Sequence, residues 1–142
     1  MAAPTSDDTV LLDAACAARR HAYAPYSGFP VGAALLAEDG RVFAGCNVEN
    51  AAYPVGTCAE AGAIAAMVAG GSRRFAAMLV VADGPEVVAP CGACRQRMVE
   101  FAAGGALVHA ARPGRIEWTC RVGDLLPGAF GSHNLPAEAR ET

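Results

Sequence analysis

Thr57-Cys58-Ala59-Glu60-Ala61-Gly62-Ala63-Ile64-Ala65-Ala66-Met67-Val68-Ala69-Gly70-Gly71 reads as a single helix without a polar face. From Cys58 to Gly70 almost every residue is small or apolar, and Gly70-Gly71 supplies the stop. A helix that is apolar all round must be covered all round. In a chain of 142 residues a sheet can cover one side only, so a partner subunit is expected on the other.

Upstream, Ser6-Asp7-Asp8 precedes Val10, Leu11, Ala14, Ala15 and Ala18 at helical spacing, and Arg19, Arg20 and His21 close the run. Acidic residues first and basic residues last suit a helix and its dipole. Ala24-Pro25-Tyr26-Ser27-Gly28 reads as a turn. Strands are then predicted at Val31 to Leu36 and Arg41 to Cys46, joined across Glu38-Asp39-Gly40. Downstream, the pattern gives a buried strand at Phe75 to Ala82, a helix at Cys91 to Phe101, and strands at Ala106 to Ala111 and Ile116 to Cys120. The order α-β-β-α-β-α-β-β predicts a three-layer α/β/α domain. Residues 1–142 are expected to form one domain, with flexible ends at about 1–5 and 136–142.

Hydrophobic residues make up 54% of the chain and charged residues 18%, which excludes a disordered polypeptide. The formal charge is −3 and the basic residues are scattered, so nucleic acid is not an expected partner. The N-terminus lacks the basic opening of a signal peptide and no run is long enough to span a membrane, which points to a cytoplasmic protein. In a reducing compartment six cysteines favour metal binding over disulfides. Cys16, Cys46 and Cys120 have no motif around them and read as small core residues.

The other three cysteines do have a motif. Cys58 lies two residues before Glu60, and Pro90-Cys91-Gly92-Ala93-Cys94-Arg95-Gln96 follows about thirty residues on. Three thiolates with a carboxylate left over match a catalytic zinc, which keeps one coordination position open, whereas a structural zinc closes its tetrahedron with four side chains. Cys91 and Cys94 fall in the first turn of a helix that Pro90 helps to start, and Cys58 also lies at a helix start, where the dipole favours the thiolate. A redox pair would need a thioredoxin-like context that is missing here. Glu60 fits acid/base work beside the open position better than it fits a ligand role.

Cys-x-Glu followed by Pro-Cys-x-x-Cys resembles the signature of the zinc-dependent nucleoside and nucleobase deaminases, with cysteine in place of the more widespread histidine. Ala24 to Leu35, Gly45-Cys46-Asn47-Val48-Glu49-Asn50-Ala51-Ala52-Tyr53 and Leu125-Leu126-Pro127-Gly128-Ala129-Phe130 look like the short, homotetrameric cytidine deaminases. The likeness runs from about Ala22 to Leu135. It implies a mixed five-stranded sheet between helices and one zinc per subunit held by Cys58, Cys91 and Cys94. Glu60 would be the proton carrier in hydrolytic deamination of cytidine and deoxycytidine, as part of pyrimidine salvage. It further implies that Asn47 and Glu49 hold the ribose hydroxyls and that Phe29 and Phe130 pack on the pyrimidine. Phe130 would come from a neighbouring subunit, so that active sites are shared within a homotetramer, and Tyr53 and the Ala59 backbone would complete the pocket.

In one respect the chain departs from that pattern. The short cytidine deaminases often place an arginine directly after the glutamate, against the thiolates, but here the residue is Ala61. Three thiolates on Zn²⁺ carry a formal charge of −1, and Arg95 is the expected substitute. Two rival functions have the same zinc motif or need only zinc: deamination of another small base or nucleoside such as blasticidin S, and a zinc-stabilised binding module that would not need Glu60.

Overall fold

The structure, a computed structural model, describes residues 3–140. Met1, Ala2, Glu141 and Thr142, which belong to the ends expected to be flexible, lie outside the described residues. The helices are α1 (Ser6–Arg19), α2 (Ala59–Ala69) and α3 (Gly92–Phe101), and the strands are β1 (Val31–Ala37), β2 (Val42–Cys46), β3 (Phe75–Ala82), β4 (Ala102–Arg112) and β5 (Arg115–Arg121). Thr5, and not the Ser6-Asp7-Asp8 segment, caps α1. Its hydroxyl accepts from the Asp8 amide at 3.1 Å and the Asp8 carboxylate accepts from the Thr5 amide at 2.8 Å, a reciprocal capping box.

The strands form one mixed sheet in the order β2-β1-β3-β4-β5. β1 runs antiparallel to both β2 and β3, β3 and β4 are parallel, and β5 returns antiparallel to β4. Side chains alternate between the two faces, as the pleat requires. Ala33, Leu35, Met78, Val80 and Val108 join Ala63, Met67 and Met98 on the face covered by α2 and α3. Ala34, Leu79, Val81 and Ala111 meet Leu11 and Ala15 of α1 on the other. The three layers expected from the element order are therefore present.

β4 begins at Ala102, four residues earlier than the pattern predicts. Gly104-Gly105, just outside the predicted strand, lies inside it in the fold. The register with β3 shifts between Phe75 and Ala77, and Gly105 takes a φ of 78°, which glycine adopts without a Cβ penalty.

A glycine also brings α2 close to the sheet. A Cβ on Gly45 of β2 would lie 2.4 Å from the Ala63 nitrogen and 2.5 Å from the Ala59 carbonyl oxygen. Only a residue without a side chain lets the first turn of α2 sit this close to β2. The inward face of α2 is buried at Ala59, Glu60, Ala63, Ile64 and Met67, while Val68 is exposed.

Candidate metal centre and adjoining pocket

β2 and β3 are both antiparallel to β1 and so point the same way, and the helices that follow them start from the same end of the sheet. Crossover topology of this kind gathers loops and helix N-termini where ligands bind in open α/β sheets. Cys58 is the N-cap of α2 and Cys91 the N-cap of α3, and neither uses its side chain to cap its helix. Cys94 lies in the first turn of α3 and is fully buried.

The three sulfurs lie within 4.8 Å of one another. Cys58 Sγ and Cys91 Sγ are 3.9 Å apart. A disulfide would bring them to about 2.0 Å, whereas two thiolates on a tetrahedral zinc, with bonds of about 2.3 Å, stand about 3.8 Å apart. The donor set fits zinc in both chemistry and spacing. Burial pushes the Cys58 and Cys94 thiols above the ordinary thiol range, and at Cys94 the neighbouring negative charges of Glu60, Cys58 and Cys91 add to it. Burial acts in the same sense on Cys91, but hydrogen bonds from Cys94 and Cys58 outweigh it and the thiol is lowered. Three thiolates held this close together call for a cation. Cys16, Cys46 and Cys120 are free and only half-buried, so they lie at the edge of the core.

Glu60 is buried at 4% exposure beside these sulfurs. Burial raises its carboxyl above the usual range, and its own amide at the helix start, Cys94 and the charge of Arg97 pull it back only in part. A carboxyl whose pKa is raised by burial beside a cluster of metal-binding sulfurs is suited to acid/base work.

A cavity of about 280 Å³ opens beside the cysteines, and Asn47, Glu49, Tyr53, Ala59 and Glu60 all line it. The Asn47 amide mimics a strand partner, with Oδ1 accepting from the Val31 amide at 2.8 Å and Nδ2 donating to the Phe29 carbonyl at 2.9 Å. Glu49 is anchored on the preceding turn. Its Oε1 accepts from the Tyr26 and Ser27 amides at 2.9 and 3.0 Å, and its Oε2 from the Ser27 hydroxyl at 2.5 Å. These bonds, led by the Ser27 hydroxyl, hold its pKa below the ordinary range. Tyr53 is 74% exposed and meets Tyr26 edge to face, with ring centroids 5.7 Å apart. A second cavity of about 320 Å³ lies between these tyrosines and shares Glu49 with the first.

Two expected contacts lie away from this cavity. The Phe29 ring lies against Gly84, and only its backbone meets Asn47. Phe130 is 59% exposed and is held from behind by Gln96, whose Nε2 donates to the Phe130 carbonyl at 2.8 Å. Arg95 does not reach a sulfur. Its Nε donates to the Pro90 carbonyl at 2.8 Å and its Nη1 to the Leu125 carbonyl at 3.2 Å, because one residue past Cys94 turns it about 100° away around the helix. The guanidinium that does reach a thiol is that of Arg97, with Nη1 3.7 Å from Cys94 Sγ. Its i, i+3 spacing from Cys94 was the available sequence signal, whereas the anchoring of Glu49 by Ser27 has no signature beyond the turn itself.

A mixed sheet that brings two helix N-termini together, with three cysteines and a buried glutamate between them, defines a zinc-dependent deaminase. Residues 5–110 match the family described as the cytidine and deoxycytidylate deaminase zinc-binding region. A cytidine deaminase of Sporosarcina psychrophila is 51% identical over 125 residues, 87% of this chain and 91% of that one. One of Mycobacterium tuberculosis is 44% identical over 138 residues, 96% of this chain and 99% of that one. The crystal structure of cytidine deaminase from Burkholderia pseudomallei superposes with a TM-score of 0.81 at 48% identity, covering 89% of this chain and all of that one. The chain belongs to the cytidine deaminase family. No helix among the described residues is long and apolar enough to cross a membrane.

Proposed function

We propose that this protein catalyses the hydrolytic deamination of cytidine and deoxycytidine, giving uridine or deoxyuridine and ammonia. The observation that carries the reading is the meeting of Cys58, Cys91 and Cys94 within 4.8 Å beside a cavity that Cys58, Cys91 and Glu60 line. Cys58, Cys91 and Cys94 would hold the zinc, which when bound supplies the Lewis acidity that makes water a nucleophile near neutral pH. The Glu60 carboxylate takes a proton from the attacking water, delivers it to N3 of the cytosine ring, and then passes a second one to the departing amine.

Asn47 and Glu49 are the proposed ribose contacts. Each spends some of its hydrogen-bonding capacity on the 26–31 segment and keeps free lone pairs or a second N–H for a diol, so both are held in place before substrate arrives. Tyr53 and the Ala59 backbone close the pocket, while Phe29, whose ring lies against Gly84, would have to turn toward the pocket to pack on the pyrimidine. The exposure of Phe130 and of Val68 on α2 suits a homotetramer in which Phe130 enters a neighbour's pocket. The protein is read as a single cytoplasmic domain spanning 1–142 and serving pyrimidine salvage.

The direct test is ammonia release by zinc-loaded protein from a panel of cytidine, deoxycytidine, cytosine, adenosine and blasticidin S. Turnover of the two cytosine nucleosides alone is expected. Turnover of blasticidin S alone, or of none of the five, would refute the assignment.

A further inference from the structure

Three thiolates on a divalent cation carry a formal charge of −1, and an ionised Glu60 adds another, in a pocket where two of the three sulfurs and the carboxylate are at least partly buried. Position 61 offers only a methyl group. The guanidinium of Arg95 is occupied with the carbonyls of Pro90 and Leu125. Arg97 is differently placed. It lies three residues after Cys94 on α3, on the same face of the helix, and its Nη1 is 3.7 Å from Cys94 Sγ. Among the described residues no carboxylate forms an ion pair with it, in contrast to Arg41, Arg112 and Arg115, each of which has an Asp or Glu within 4.0 Å. Among the described residues its hydrogen-bond partner is the Cys94 thiol.

We propose that Arg97 is the positioning residue of the metal centre: its guanidinium donates to the Cys94 thiolate and offsets the excess negative charge of a three-thiolate zinc. The inference rests on the zinc-deaminase reading above. A donor to a ligand sulfur withdraws charge from it, which weakens proton competition for the site and leaves the metal a stronger Lewis acid. The helix geometry explains how the task can pass from α2 to α3. Residue 61 lies three positions after Cys58 and residue 97 three positions after Cys94, so each stands at helical i, i+3 spacing from a ligand sulfur.

The test compares wild type, Arg97→Gln, Arg97→Lys and the double variant Arg97→Gln/Ala61→Arg. Each is loaded in turn with zinc and with cobalt(II). Apparent zinc affinity is read by competition with a chromophoric chelator, and the thiolate-to-cobalt charge-transfer band reports electron density on the sulfurs. Arg97→Gln is expected to lose about 10- to 100-fold in zinc affinity, the usual range for a residue that orients or tunes a metal ligand. Its charge-transfer band should move to lower energy, and kcat should fall while KM holds. Lysine should restore part of each effect through its charge, and Ala61→Arg should restore the band position and the affinity. If Arg97→Gln keeps wild-type affinity, band energy and kcat, Arg97 has no such role. If wild type itself shows no thiolate-to-cobalt band, the three-cysteine metal site is wrong and the proposal goes with it, an outcome distinct from the first.

Discussion

The Gln96 side-chain amide and the Phe130 carbonyl are joined by a 2.8 Å hydrogen bond. With the neighbouring Arg95-to-Leu125 bond, it ties the segment after β5 to α3, and the Phe130 side chain is left exposed and outside the lining of the chain's own pocket. Gln96→Ala removes one hydrogen bond to this segment, worth about 0.5–1.5 kcal/mol. If the ring serves a neighbouring site, KM for cytidine should rise about 2- to 10-fold with zinc content unchanged, and Phe130→Ala should do the same more strongly. Steady-state kinetics on both variants check this, and unchanged KM values would separate Phe130 from the substrate.

Glu60→Gln should bind one zinc per chain as wild type does, since the carboxylate is not among the clustered ligand atoms. Turnover should fall at least ~10²–10⁴-fold, the usual contribution of a positioned acid/base. Metal analysis alongside an ammonia assay decides it. A variant without zinc would instead make Glu60 a ligand.

Removing and restoring the metal should move protons. Cys58 and Cys94 are raised above their ordinary 9.0, so in the metal-free protein both are protonated at pH 7, and ligation must expel those protons. Between two and three protons per zinc are expected at pH 7, measurable by calorimetry in buffers of different ionisation enthalpy. Release of fewer than two would mean that the thiols are already ionised.

His109 sets a pH dependence of stability on the opposite face of the sheet. It is 4% exposed, its Nε2 lies 3.2 Å from Asp8 Oδ1, and its Nδ1 lies 2.7 Å from the Thr119 hydroxyl. Burial lowers its pKa below 6.5, and the Asp8 charge offsets this only in part. The folded ring is thus neutral at neutral pH and the Asp8 contact is a hydrogen bond rather than an ion pair. With a depressed folded pKa, the unfolded chain takes up the proton first. The contribution is therefore fully present above the unfolded value and is lost as pH falls through 6.5 toward the folded one. The added slope cannot exceed one proton, about 1.4 kcal/mol per pH unit. Urea unfolding from pH 8 to 5 should show this slope in wild type and lose it in His109→Gln.

Gly45→Ala places a methyl group against the α2 backbone. The neighbouring atoms are main chain and cannot swing aside, so a loss of about 1–3 kcal/mol or more is expected. Because the same contact seats the first turn of α2, zinc affinity should fall with stability. Gly123→Ala, with nothing within 4 Å of its added Cβ, should change neither. Chemical unfolding and chelator competition on the pair separate steric displacement of α2 from a general loss of glycine.

Much of this protein was legible along the chain, because its signals are local. Apolar periodicity, turn residues and the spacing of Cys58, Glu60, Cys91 and Cys94 depend on neighbours a few residues away, and they named the elements, the cysteines that the fold positions to hold a metal and the candidate proton carrier. Features that depend on distant contacts were not legible. The pattern started the fourth strand at Ala106 and missed Ala102 to Gly105, since nothing nearby shows that β4 carries an irregularity against β3. Arg95 looked like the natural partner of the thiolates from its place in the motif, whereas the rotation of α3 sends it to Pro90 and Leu125 and brings Arg97 to Cys94. Asn47 and Glu49 were found as a pair, but their anchoring on Val31 and Ser27 required the folded turn. The sequence by itself determined which atoms could bind a metal and move a proton. The tertiary structure alone decided that they meet, because β1 runs antiparallel to both β2 and β3 and so makes α2 and α3 begin at the same end of the sheet.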